Sequence, residues 1–274
     1  MELTAKVIQG DCLEVMRGLP DQSIGMVLAD LPYGVNACHW DKVIDLDAMW
    51  VQFKRLIQPK RACVFTATQP FTIDLICSNR KWFRYEWIWE KDNGANFGSA
   101  KFRPLSYHEN VLIFSKKGEI YNPQMWDAGK PSNVGGKCAP LSGGLSVFST
   151  NYEHHPSRLS NDRFPKSIVK INRPKHNDGQ NLIHPTQKPV ALFEYLIRTY
   201  TNPGDVVLDP TAGSMTTAIA AMNTGRGYVC IEKDPDEYRK GLGRIQAHLA
   251  KPQQISLLEQ TPALPTEAQI QLSL

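Results

Sequence analysis

At 274 residues and 42% hydrophobic composition, the chain can build one sizeable core with an elaboration beyond a minimal domain. No run approaches the roughly 18 consecutive apolar residues that cross a bilayer, and the N-terminus lacks an arginine-led hydrophobic stretch, so a cytoplasmic protein with no membrane association is expected. The six cysteines (Cys12, Cys38, Cys63, Cys77, Cys138 and Cys230) show no two-residue zinc or redox spacing, which argues for reduced thiols and against a metal site.

Net charge is +4, but it is localised: Lys101 to Lys188 holds 13 Lys plus Arg against 6 Asp plus Glu, or +7, which leaves −3 for the rest. A basic segment beside a mildly acidic body points to a polyanionic partner.

In chain order, short apolar runs ending in turn residues alternate with helical patterns. VIQG precedes CLEVMRGL, and IGMVLAD precedes a loop and the helical LDAMWVQFKRLI. ACVFTAT and PFTIDLICS repeat the rhythm, which falters after YEWIWEK. From about Gly118 to Gln180 the chain is rich in Gly, Pro, Ser, Asn and basic residues and reads as an insertion. The rhythm resumes with the helix ALFEYLIRTY, the strand VVLD, the helix SMTTAIAAMN, the strand YVCIE and a last helix starting near Asp234. Strands without polar alternation, such as 24–29, imply a doubly wound, Rossmann-like parallel sheet covered on both faces. From Pro252 the low-charge tail is expected to be peripheral or partly disordered.

Two loops carry chemistry. The strand over 24–29 delivers Asp30-Leu31-Pro32-Tyr33-Gly34 to its carboxyl end, where open α/β sheets hold their sites. Proline biases Leu31 to an extended backbone that aims its carbonyl outward beside the Asp30 carboxylate, and Tyr33 adds a flat surface. Such a paired acceptor suits methylation of a nucleobase amine: two hydrogen bonds from the amino group localise its lone pair and stabilise the charge that develops on attack. Alone, the pentapeptide also reads as a simple turn.

The second loop lies in VVLDPTAGSMTTAIAA, where a strand ends at Asp209 and a helix is expected to open at about Ser214. Gly213 permits close backbone approach, and the helix start offers free amides. Glu232 ends the next strand 23 residues after Asp209, a spacing that suits a ribose hydroxyl, though Glu232 also reads as a helix cap. Lacking GxGxxG, the turn does not suit a pyrophosphate dinucleotide and fits a smaller adenosyl ligand such as S-adenosylmethionine.

These motifs together resemble the β-class DNA amino-methyltransferases, which modify adenine N6 or cytosine N4. DLPYG resembles their D-P-P-Y motif, DPTAGSMTT their D-P-F-x-G-S-G-T-T loop, GDCLEVM at 10–16 their adenine-holding loop, and HPTQKP at 184–189 their H-P-T-Q-K-P segment. The resemblance implies a circularly permuted Rossmann-like sheet divided into a catalytic half at 1–118, a target-recognition insertion at 119–180, a cofactor half at 181–250 and a tail at 251–274. It assigns catalysis to Asp30, Leu31, Pro32 and Tyr33. It places the cofactor's adenine against Asp11 and Cys12, its ribose on Glu232, and its methionine end among Asp209, Thr211, Gly213, Ser214 and Thr216, with Lys188 as a candidate for the carboxylate. Leu31 departs from the motif's first proline without affecting the backbone carbonyl, whereas Met215 stands where the family loop has a small residue, which narrows the pocket or shifts the helix start.

The partner implied is double-stranded DNA, with Asn93, Asn96, Arg103 and His108 facing it from the stretch that leaves the catalytic half. Within the insertion, Arg158, Arg163, Lys166, Lys170, Arg173 and Lys175 are the candidate DNA contacts. His154 and His155 lack a metal-binding pattern and read as polar loop residues. An aspartate at the head of the catalytic motif favours adenine over cytosine. The rival readings are an N4-cytosine DNA methyltransferase, an RNA or protein amide methyltransferase, and a catalytically silent DNA-binding protein. A homodimer is expected from the family analogy alone.

Overall fold

Continuous apolar strands need cover on both faces, and the arrangement follows from that need. The computed structural model describes residues 4–34, 43–134, 158–175, 182–184 and 186–250. Cys38, Cys138, His154, His155, Pro185 and the tail from residue 251 lie outside them.

In chain order the elements are β1 (Ala5–Gln9), α1 (Cys12–Arg17), β2 (Met26–Asp30), α2 (Leu46–Leu56), β3 (Cys63–Ala67), α3 (Phe71–Ser78), β4 (Phe83–Ala95) and β5 (Ser106–Phe114). Then follow β6 (Trp126–Val134), β7 (Arg158–Arg163), β8 (Ile168–Lys170), α4 (Val190–Tyr200), β9 (Val206–Asp209), α5 (Thr216–Asn223), β10 (Gly227–Glu232) and α6 (Pro235–Leu249). Eight strands form one sheet in the order β1-β10-β9-β2-β3-β5-β4-β8. Within it only β5 runs against its neighbours. From the central pair β2 and β9 the chain winds outward in opposite senses, to β3 on one side and to β10 on the other. That pair is the topological switch point, where crevices open at the carboxyl ends of strands.

Side chains alternate faces along a strand, so each central strand feeds two cores. From β2, Val27 and Ala29 pack with Met16, Trp50, Phe53 and Leu75 of α1, α2 and α3. Met26 and Leu28 pack on the other face with Leu192, Leu196, Ala218 and Ile245 of α4, α5 and α6. Asp45 caps α2 through Ala48 N (3.0 Å), and Asp234 caps α6 through the amides of Asp236 (2.8 Å) and Glu237 (3.1 Å). The helix expected from Ser214 starts two residues later, because Met215 adopts a left-handed backbone (φ 58°) that extends the turn.

Within 119–180 the described residues behave in three ways. Ile120 N donates to Lys60 O (3.0 Å) and Asn122 N to Thr199 O (2.7 Å), which pins the start of the segment to the main body. β6 and β7 form a separate antiparallel hairpin. Ile168–Lys170 then rejoins the main sheet as β8, parallel to β4. Among the described residues no helix is long and apolar enough to cross a membrane, and no cluster of three or more His, Cys, Asp or Glu could hold a metal ion.

Trp50 anchors the first core. Its ring contacts Phe53, Phe65, Trp82 and Phe114 at centroid separations of 5.1–6.2 Å, and its Nε1 donates to Ser78 Oγ (2.8 Å). Trp50→Ala should cost about 3–5 kcal/mol of unfolding free energy. A urea titration checks this: the midpoint should fall while the slope stays that of the wild type.

Candidate active site

The carboxyl ends of β1, β2, β9 and β10 surround a cavity of about 710 Å³. It reaches from Asp11 and Cys12 at one end to Asp30, Tyr33 and Lys188 at the other, with Gly213 and Glu232 on its wall. Its volume falls within the roughly 300–1,000 Å³ of small-molecule sites.

At the Asp30 end, the carboxylate organises its surroundings. Oδ1 accepts from Tyr33 OH (2.6 Å) and from Thr66 Oγ1 (2.5 Å) on the neighbouring β3. Oδ2 accepts from Lys188 Nζ (2.7 Å). A carboxylate offers about four acceptor positions, so Oδ2 retains one. The Leu31 carbonyl, next along the cavity wall, accepts no hydrogen bond among the described residues. Tyr33 is stacked on Phe71 (5.2 Å between centroids, 29°), and its ring also lies 5.9 Å from Lys188 Nζ. Burial, then the Asp30 charge, pushes the Tyr33 hydroxyl well above the usual tyrosine range, so it remains a donor.

Lys188 is buried and lies 3.4 Å from Glu109 Oε2, while Glu109 Oε1 pairs with buried Lys91 at 3.2 Å. Burial works to lower the lysine's proton affinity, but the Asp30 and Glu109 carboxylates outweigh it and hold Lys188 above its ordinary value. The ammonium read from the sequence as a partner for a cofactor carboxylate is thus engaged by two protein carboxylates.

The second loop is braced from several sides. Asp209 is buried and accepts from Thr217 Oγ1 (2.5 Å) and Thr211 N (3.1 Å); burial pushes its carboxyl up to about 7. Thr211 Oγ1 donates to the Asp30 carbonyl (3.1 Å), which ties this loop to the end of β2. Gly213 has φ +45° and open space where a Cβ would lie. Ser214 and Thr216 are buried but line the cavity, and Arg244 donates to Ser214 O (2.6 Å) and Thr216 Oγ1 (2.9 Å). Met215 is fully buried in the second core and does not line the cavity. Its side chain occupies the space a Cβ on Gly241 of α6 would need, at 2.5 Å.

Glu232 Oε2 accepts from Gly213 N and Oε1 from Asp234 N, both at 2.8 Å, so it joins the loop to the start of α6. Burial raises its pKa above the ordinary glutamate value. The N-cap of α6 is Asp234 itself. Asp11 caps α1 through Leu13 N (3.0 Å) and pairs with Lys233 (3.1 Å). Burial pushes the Cys12 thiol up to about 11, which suits a packing role and not a nucleophile.

The candidate DNA contacts divide. Asn93, Asn96, Arg103 and His108 are all exposed on the β4–β5 hairpin. Lys166, Lys170 and Lys175 are exposed: Lys166 lies 5.2 Å from the Trp126 ring, Lys170 pairs with Glu90 (3.0 Å) and Lys175 with Asp92 (3.1 Å). Arg163 spends its guanidinium on the carbonyls of Ser160, Asp162 and Lys130, closing the β6–β7 hairpin. Arg173 is partly buried, and Arg158 opens β7.

Thr66, Phe71, Lys91, Glu109 and Arg244 join the site without having been singled out for it. Thr66 had a signal, a hydroxyl at the carboxyl end of an otherwise apolar strand. Glu109 follows exposed His108 on β5, and adjacent residues on a strand face opposite ways, so the neighbour of an exposed residue turns toward Lys91 and Lys188.

A family model for DNA methylases matches residues 24–242. The DNA adenine methyltransferase YhdJ of Escherichia coli is 27% identical over 253 residues, covering 87% of this chain and 82% of that protein. The type II methyltransferase M.HinfI of Haemophilus influenzae is 25% identical over 285 residues, covering 92% and 71%. Among solved structures, the M1.HpyAVI–SAM complex aligns with a TM-score of 0.58 at 20% identity over 88% of this chain and 98% of that one. The cytosine-N4-specific PvuII DNA methyltransferase aligns with 0.61 at 18% over 92% and 88%. At those identities the two structures speak for the fold. The family match spans most of the chain, including both loops of the cavity, and the chain belongs to the N6/N4 DNA methylase family.

Proposed function

We propose that the protein is an S-adenosylmethionine-dependent methyltransferase that acts on the N6 amino group of an adenine flipped out of duplex DNA. The observation that carries this reading is the open acceptor position on Asp30 Oδ2 beside the Leu31 carbonyl, which accepts no hydrogen bond among the described residues, with both residues at the wall of the switch-point cavity.

The cavity suits an adenosyl ligand. Each Glu232 oxygen has one backbone donor and capacity for another, which leaves room for ribose hydroxyls. The open space at Gly213 admits close approach of a ligand chain, and half-buried Leu13 beside buried Cys12 provides an apolar flank for a base. When bound, S-adenosylmethionine supplies an electrophilic methyl group on a sulfonium. The chain's own residues prepare the acceptor. Asp30 Oδ2 and Leu31 O each take one N–H of the target amine, drawing its lone pair out of the ring and stabilising the positive charge that grows on nitrogen. Thr66 and Tyr33 fix the rotation of the carboxylate so that Oδ2, not Oδ1, faces the base. Tyr33, backed by Phe71, offers a ring against which an extruded base can stack.

Adenine is favoured over cytosine by the aspartate that heads the motif and by YhdJ, a relative described as a DNA adenine methyltransferase. Mass analysis of nucleosides from DNA incubated with heavy-methyl cofactor decides: N6-methyladenine supports the reading, and N4-methylcytosine replaces it.

Because Tyr33 OH depends on Asp30, alanine at position 30 would disturb both; Asp30→Asn is the cleaner variant. It should lower methyl transfer by about 100-fold or more while 2-aminopurine at the target position still brightens on binding. Tyr33→Ala should weaken the flipping signal itself. Robust methylation by folded Asp30→Asn protein would remove the catalytic assignment.

Glu232→Gln should weaken cofactor binding by about 1.5–3 kcal/mol, the scale of a charge-assisted hydrogen bond. Unchanged affinity in calorimetry would leave Glu232 as a brace between Gly213 and Asp234 only.

Lys166 and Lys170 are exposed, whereas Arg163 is committed to its hairpin, so a test of DNA contact spares Arg163. Replacing both lysines with alanine should make the log–log salt dependence of DNA binding shallower by about 1.8, if each holds one phosphate. An unaltered slope would place the phosphate contacts elsewhere.

A further inference from the structure

Extruding a base leaves a gap in the duplex, and an apolar group that enters it from the side of the active site can hold it open. The β4–β5 hairpin carries such a group. Because β5 is antiparallel to β3, its first residues lie beyond the carboxyl ends of the parallel strands, at the edge that carries Asp30. Thr66 pairs with Asp30 on one side and with Val111 on the other, so Val111 marks the level of Asp30 along β5. Five residues separate Val111 from Ser106, the residue paired with Ala95 at the last rung of the hairpin. At about 3.4 Å each, that rung stands roughly 17 Å beyond the catalytic carboxylate. Such a height exceeds the depth of either groove of duplex DNA, about 7.5–8.5 Å.

The tip is built to present, not to bury, its aromatic residues. Phe102 is 89% exposed and Phe97 59% exposed. Successive backbone hydrogen bonds close the loop on itself: Ser99 N to Asn96 O (2.9 Å), Ala100 N to Phe97 O (3.1 Å), and both Phe102 N (2.9 Å) and Arg103 N (3.0 Å) to Ser99 O. Gly94 tightens the base of the hairpin, where a Cβ would meet the Tyr107 ring at 2.8 Å. On either side of Phe102 stand Lys101 and Arg103, both exposed and neither ion-paired among the described residues. A hydrogen-bonded turn with an apolar point between two exposed cations matches a groove lined by phosphates with stacked bases at its floor.

We infer that Phe102 is the wedge that enters the duplex where the target base has left, with Lys101 and Arg103 holding the flanking phosphates. This rests on the reading of the cavity as a DNA base methyltransferase site. The role is one of positioning: the ring lowers the cost of extrusion and leaves the chemistry at Asp30 untouched.

The test separates the wedge from that reading. The methylated position is first located by sequencing plasmid DNA treated with wild-type protein and S-adenosylmethionine. Failure of the wild type to methylate any duplex overturns the methyltransferase reading, and the wedge with it. Two duplexes are then compared, one with the target base paired and one with an abasic site opposite it, where extrusion needs little help. Phe102→Ala should lose about tenfold or more in kcat/KM on the paired duplex and no more than about twofold on the abasic one. Phe102→Trp should keep most of the activity on both, and cofactor affinity should be unchanged throughout. Equal losses on the two duplexes, or no loss on the paired one, would overturn the wedge while leaving the methyltransferase reading intact.

Discussion

The Lys188 ammonium is buried between carboxylates contributed by two strands, and much of the site follows from that one placement. Taking an ammonium out of water costs several kcal/mol unless opposite charges surround it. Asp30 from β2 and Glu109 from β5 provide them, and Lys91 from β4 balances the surplus on Glu109. Positive and negative groups then alternate along Lys91, Glu109, Lys188 and Asp30, so the set is neutral. The same residue reaches toward the other half of the molecule, since its carbonyl accepts from Thr216 Oγ1 (3.3 Å), which Arg244 holds in turn. Losing any member would strand a buried charge, a defect that usually costs about 3–5 kcal/mol. Asp30, which lines the cavity, therefore has few ways to turn.

The sheet explains why the two functional loops meet at all. β2 and β9 are far apart in sequence but paired in space, and the connections leave them in opposite senses. A crevice forms where the connections diverge, and the residues that follow Asp30 and Asp209 both line it. Thr211 bridges that crevice with a single hydrogen bond to the Asp30 carbonyl. The two ends of the cavity are thus mechanically linked, and a shift of the second loop would be felt at Asp30. The two cores on opposite faces of the sheet hold the strands rigid beneath this contact, as a precisely placed acceptor pair requires.

What was legible in the sequence were features that depend on local order. An apolar run ending in Asp30-Leu31-Pro32-Tyr33 announces a strand end with outward acceptors. An acidic residue closing the strand after the small-residue turn announces Glu232. The alternation of strands and helices was equally readable, because burial on both faces leaves a pattern along each segment. The less visible features depend on which strands become neighbours. Thr66 matters because β3 lies beside β2, and nothing in ACVFTAT states that. Lys91 and Glu109 meet across an antiparallel pair, and Arg244 reaches the second loop from the last helix. Basic residues in the insertion show the same limit. Composition marked Arg163 and Lys166 alike, yet geometry turns one inward to hold a hairpin and leaves the other exposed.

Met215 shows how a local departure can be absorbed at a distance. At φ 58° it occupies a backbone region that disfavours side chains by about 1–2 kcal/mol, and only glycine there would avoid that cost. Along the sequence the substitution looks like a threat to the cavity. In space the side chain turns away from it and is fully buried against α6, where complete burial of a methionine contributes about 1.5–3 kcal/mol. That burial is possible only because position 241 is glycine: any Cβ there would lie 2.5 Å from the Met215 side chain and 3.0 Å from the Gly213 carbonyl. The strained turn and the bare helix position therefore form one unit. α6 sits close enough to brace the loop from behind, and the Met215 side chain stays off the cavity wall although it is larger than the loop's pattern calls for.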